Sequence, residues 1–172
     1  MQSEIFFFPP TKANHAGLVF AALGRALALA TRFEAGCRSL SALIDLRGDP
    51  APLRSKEALQ VFSEGIARRR LFKATEHISQ YANVPIFDVL NEARNARNRI
   101  VHEQSLGFEN WAYEEGLWDE ELGALCEAAQ KLGRAELLIS LASSVLTNTA
   151  LPTMASLDDY PDMLARWVCS IE

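Results

Sequence analysis

Residues 85–103 read PIFDVLNEARNARNRIVHE, and Ile86, Val89, Leu90, Ala93, Arg97, Ile100 and Val101 recur along them at spacings of three and four. That period puts one stripe of the segment against a core and predicts an amphipathic helix. Asn83 and Pro85 mark its start, since proline in a first helical turn lacks only an N–H that has no partner there in any case.

The same period continues on both sides. Upstream, Thr11 offers an N-cap, and Leu18, Ala22, Ala26, Leu29 to Phe33, Leu40, Leu43, Ile44 and Leu46 predict one long helix, which Gly48, Pro50 and Pro52 must end. Ser55 is a second N-cap with Glu57 in the first turn, and Leu59, Phe62, Ile66, Leu71, Ala74 and Ile78 predict a second helix with a continuous buried stripe. Downstream, residues 105–118 hold Gly107, Gly116, Trp111 and Trp118 without a sustained period and read as a loop. A further helix runs from Asp119 to Thr147, burying Leu122, Leu125, Ala129, Leu132, Leu137, Leu141 and Val145. A short last helix spans 156–171, with Asp158 and Asp159 in its first turn. No window alternates as a strand does, and no repeat is visible. The expectation is an all-α fold: an antiparallel up-down bundle of four main helices plus a short C-terminal helix, one domain over 1–172 with residues 1–10 as an N-terminal arm.

Composition sets limits on function. A chain of 172 residues that is 49% hydrophobic can bury one core. Its 17 basic and 22 acidic residues leave a net charge of −5, so a polyanion must be met by a local basic patch. Cys37, Cys126 and Cys169 form no CxxC or Cys/His cluster, so neither a disulfide framework nor a zinc site is expected, and all three read as small buried apolar residues. Glu4 stands where a secretory signal needs positive charge, and the apolar stretch from Leu18 to Ala30 is broken by Gly24 and Arg25. A cytoplasmic location without a membrane partner is expected.

The chemistry is concentrated in RNARNRIVHE, residues 94–103. A histidine titrates near neutral pH and can relay a proton, an arginine offers a permanently charged fork matched to phosphate oxygens, and Asn98 can bond a phosphate or hold the imidazole in one tautomer. Together they can cut RNA without a metal, because the substrate's own 2′-OH is the nucleophile. On a regular α-helix Arg97 and His102 are about 140° apart, so one helix presents them awkwardly.

Arg97, Asn98 and His102, with Ile100 and Val101 before the histidine and Glu103 after it, resemble the Arg-polar-x3-His motif of the HEPN family of metal-independent ribonucleases. Arg70 and His77 also stand at a comparable Arg–His spacing but lack the asparagine. The resemblance implies an endoribonuclease of toxin or defence type, with Arg97, Asn98 and His102 as catalytic residues, Arg94 and Arg99 contacting RNA, and no metal or other cofactor. It also implies a homodimer through this helix that brings two Arg/His sets and a strip of Arg94, Arg97 and Arg99 together, and a cognate antitoxin or regulatory protein as a further partner. Many HEPN toxins paired with a nucleotidyltransferase antitoxin have Tyr two residues after the histidine; Gln104 stands there in this chain, which speaks against regulation by modification at that position. Two other functions compete: a HEPN-like module that binds a nucleotide or partner without cutting, and a helical interaction module with no site. The Arg68-Arg69-Arg70 run reads as a solvated face, and Phe6 to Phe8, Trp111 and Trp118 as core or interface anchors.

Overall fold

The structure is a computed structural model and describes residues 13–81, 84–104, 115–151 and 157–169. Among them the chain is helical, with no strand. Helix α1 spans Ala13–Gly48, and a 3-10 turn over Ala51–Arg54 leads into α2, Lys56–Arg68. Then come α3, Leu71–Gln80, and α4, Val84–Asn98, which passes directly into a π-turn over Arg99–Gln104. Helix α5 is Glu115–Thr147 and α6 is Tyr160–Cys169.

The core lies where α1 packs on α5 and α3, and α4 packs on α5 and α3. Its largest fully buried side chains include Phe33, Leu40, Leu90, Ile100, Leu125 and Leu132. Ile100 belongs to the π-turn, so the motif segment is anchored in the core by the same apolar stripe that predicts its helix. No helix among the described residues is long and apolar enough to cross a membrane.

Most of the expected stops occur where the sequence has its breakers. Helix α1 ends at Gly48, just ahead of Pro50. The Ser55 hydroxyl caps α2 by accepting from the Ala58 N–H at 3.1 Å. After Thr147, Asn148 takes φ 54°, a left-handed conformation that asparagine tolerates better than most residues, and ends α5.

Several expectations are corrected. The second helix is two helices, α2 and α3, because Arg69 and Arg70 are extended at ψ 121° and 146°. Helix α2 has no fully buried residue, and Leu59 in its predicted stripe is exposed. Val145, assigned to a buried face, is exposed near the end of α5, and that helix begins at Glu115 rather than Asp119. The last helix starts at Tyr160, after a turn holding Asp158 and Asp159, so its first-turn acid is Asp162. Residues 1–12, 82–83, 105–114, 152–156 and 170–172 lie outside the described residues, with the expectations made for them, the Thr11 cap and the Asn83 start among them.

Helix α6 packs on α5 and is also tied to it covalently. Cys126 and Cys169, expected to be unpaired, form a disulfide across a separation of 43 residues, worth on the order of 4 kcal/mol in chain-entropy terms. Gly133 permits the contact, since a Cβ there would stand 2.9 Å from the Pro161 Cα. Cys37 is buried as expected.

Candidate site on α4 and its π-turn

Helix α4 carries Arg94, Arg97 and Asn98, and the π-turn that follows carries Arg99 and His102. Five steps of 100° overshoot a full turn by about 140°. In a π-turn the hydrogen bonds run from i to i+5, so each step rotates the chain less and the overshoot shrinks. The π-turn therefore makes the angle between Arg97 and His102 smaller than a regular α-helix would, without bringing the two side chains into contact.

Arg97 points inward. Its side chain is 20% exposed, and its Nη2 donates to Glu34 Oε2 at 2.5 Å, while Nη1 donates to Asn98 Oδ1 at 3.1 Å. Its Nε is buried without a hydrogen-bond partner. Asn98 is exposed, and with Oδ1 engaged by Arg97 it keeps its amide NH2 as a donor. His102 is exposed and makes no hydrogen bond or ion pair among the described residues. Arg97, Asn98 and Glu34 are thus brought together, and His102 stands apart from their contacts.

Glu34 is the member of the site that the motif does not include. It also accepts from Arg38 Nη2 at 2.5 Å, and so bridges two guanidinium groups. Burial, with the Glu34 charge adding to it, pushes the Cys37 thiol up to about 12, which keeps that thiol neutral and unreactive. A signal for Glu34 exists in the sequence: it is an acid lying between Phe33 and Cys37 on the otherwise apolar stripe of α1, and a carboxylate at such a place needs a cation.

Arg38 Nε donates to the Arg69 carbonyl at 2.9 Å, which extends the network to the break between α2 and α3. There Arg69 Nη2 meets Asp45 Oδ2 at 2.8 Å, and its Nη1 donates to the buried Ser41 hydroxyl. His77 Nδ1 is 2.9 Å from Ser41 Oγ, and its Nε2 is 3.2 Å from Asp45 Oδ1. Arg69 is therefore an internal clamp on α1 and not part of a solvated face, whereas Arg68 and Arg70 are exposed.

The remaining arginines diverge. Arg94 turns toward α3, donating to Asn91 Oδ1 at 2.7 Å with its guanidinium 5.1 Å from the Phe72 ring centre. Arg99 is exposed on the side of α4 that faces α5, where it lines a groove with Glu127 and Lys131. The Lys131 hydrogen bond, its charge and, more weakly, Arg99 hold the Glu127 carboxyl below the usual range. Within one chain, Arg94, Arg97 and Arg99 do not form a single strip. Among the described residues no three His, Cys, Asp or Glu side chains stand together as metal ligands. Comparison with protein-family models, with curated proteins and with solved structures finds no match for the chain, which leaves its own residues and geometry to carry the functional conclusion.

Proposed function

We propose that the protein is a metal-independent endoribonuclease of HEPN type, cutting RNA by attack of the 2′-OH on the adjacent phosphate. The π-turn over Arg99–Gln104 is the observation that carries this reading, because π-turns within α-helices concentrate at functional sites and this one begins inside the Arg–Asn–x3–His motif. In the proposed mechanism His102, open to solvent, relays the proton between the 2′-OH and the leaving 5′-oxygen. Arg97, oriented by Glu34 and Asn98, stabilises the charge that grows on the phosphoryl oxygens. The Asn98 amide donates to the phosphate.

The four-helix up-down arrangement and the homodimer belong to the same proposal. Asn98, Arg99 and His102 are exposed along one segment, and a two-fold partner laid against it would supply the second Arg/His set. A toxin or defence role, with a cognate antitoxin or regulator, follows from the same resemblance. A cytoplasmic location, where thiols are held reduced, would leave the Cys126–Cys169 bond open for much of the time.

One observation favours a second reading. Both Nη atoms of Arg97 are engaged by the chain's own side chains, which suits a HEPN-like module that binds a nucleotide or partner without cutting it. Incubation of the purified chain with total RNA in EDTA, beside a His102→Ala control, decides between them. Cleavage that leaves 2′,3′-cyclic phosphate ends and depends on His102 supports the nuclease. Intact RNA in both samples supports the binding module.

A further inference from the structure

Two aromatic side chains away from the motif are left half in water. Phe72 on α3 is 51% exposed and Phe87 on α4 is 47% exposed, and both line one cleft of about 190 Å³ between these helices. Leu90, fully buried, contributes to its lining. That volume is below the roughly 300 Å³ at which drug-sized pockets begin, and suits one planar ring system.

The polar groups of the cleft are specific in what they leave open. Thr75 and Ser79 donate their hydroxyls to backbone carbonyls, and Glu76 is paired with Lys73 at 2.7 Å. Asn91 gives its Oδ1 to Arg94 and keeps its amide NH2 to donate. The Arg94 guanidinium lies over the Phe72 ring, 5.1 Å from its centre, while Lys73 Nζ, 5.4 Å from the same centre, is neutralised by Glu76, so the cation of the cleft is Arg94. Aromatic walls, one oriented amide donor and the Arg94 guanidinium call for a flat ligand with a hydrogen-bonding edge and an anionic group.

We propose that this cleft is a nucleotide-binding subsite, in which Phe72 and Phe87 stack a base, Asn91 bonds its edge and Arg94 takes its phosphate. Stacking on exposed aromatic side chains is how proteins hold single-stranded bases with little regard to sequence. The place of the subsite in catalysis rests on the ribonuclease reading, while its affinity for a nucleotide does not. Arg94 stands three residues before Arg97, a rise of about 4.5 Å along α4, so the base in the cleft and a phosphate at Arg97 can belong to neighbouring nucleotides. The cleft would then select the base beside the cut.

The test titrates the full-length chain with AMP, GMP, CMP and UMP, and with the matching nucleosides, following the phenylalanine ring signals by NMR. At least one nucleotide should bind in the millimolar range or tighter. Phe72→Leu and Phe87→Leu, which keep an apolar side chain at half-exposed positions, should each weaken it by about 5- to 150-fold while leaving the thermal melt in place. Arg94→Gln should weaken the nucleotide and spare the nucleoside. Absence of binding by all four nucleotides, or binding that both leucine variants leave unchanged, overturns the subsite. The same variants assayed on RNA separate the two readings. Nucleotide binding that needs the two rings, with no RNA cleavage, keeps the subsite and discards the nuclease. His102-dependent cleavage with an unaltered base preference in both leucine variants and no nucleotide binding keeps the nuclease and discards the subsite.

Discussion

Arg69 and His77, at the break between α2 and α3, are closed in on each other through Ser41 and Asp45, whereas His102, on the π-turn after α4, has no partner among the described residues and faces water. The two regions use the same residue types. In the first, the arginine and the histidine converge on one carboxylate and one buried hydroxyl, and α3 is clamped to α1 as a result. In the second, both Nη atoms of the arginine are engaged by Glu34 and Asn98, and the histidine has no partner among the described residues. Residue type and spacing do not by themselves distinguish a clamp from a site; the partners left open do. The regions are also joined, since Glu34 bridges Arg97 to Arg38, and Arg38 holds the Arg69 carbonyl.

The contrast breaks most decisively at the histidines. His102→Ala should lower RNA cleavage by about a hundred- to ten-thousand-fold, and Arg97→Ala by about a hundredfold or more, measured with a defined RNA in EDTA. Because His102 is exposed, its variant should unfold at the wild-type urea midpoint. A His102→Ala protein that cuts RNA at the wild-type rate would remove the functional half of the comparison.

The converse holds for the clamp. Arg69→Ala leaves Asp45 and Ser41 short of a charged donor in a half-buried place and should cost about 2 kcal/mol of stability in urea denaturation. Below the new midpoint, its cleavage rate should match that of the wild type. If stability were unchanged while activity collapsed, Arg69 would belong with Arg97.

Glu34 sits between the two and sharpens the boundary. Glu34→Gln keeps the shape and weakens the hold on both Arg97 and Arg38, and a misplaced guanidinium should cost about tenfold in cleavage. The decisive readout is the split between terms: kcat should fall with KM little changed. Loss of stability alone, at constant kcat, would make Arg97 a second clamp.

The smallest effect is expected at a third closed network, which should respond in stability and nowhere else. Tyr160 on α6 donates to Glu136 Oε2 at 2.6 Å, and Arg32 pairs with the same carboxylate. Burial, followed by the Glu136 hydrogen bond and charge, pushes the Tyr160 hydroxyl up to about 12. A folded-state value raised above the usual 10 means stability that is complete below pH 10 and lost as pH rises toward 12. Tyr160→Phe should flatten that alkaline decline in a series of thermal melts. An unchanged decline would show that Tyr160 is not its source.

Much of this was legible in the chain itself. The apolar period of three and four reports which stripe of a helix faces a core, so α1, α4 and the central part of α5 around Leu125, Ala129 and Leu132 could be read directly, as could the stops at Gly48 and Thr147 and the Ser55 cap. The motif residues could be named because their chemistry is carried by residue type. Only the packed structure decided the rest. Whether Arg69 continues a helix depends on Asp45 and Ser41 lying within its reach, 24 and 28 residues away. Whether Cys126 meets Cys169 depends on α6 lying along α5. The acid that holds Arg97 comes from α1, 63 positions earlier, and the π-turn that carries His102 appears as no change of period in the sequence. Local pattern is set by neighbours along the chain, while ion pairs, disulfides and the choice between α- and π-turns are set by what tertiary packing brings within a few ångströms.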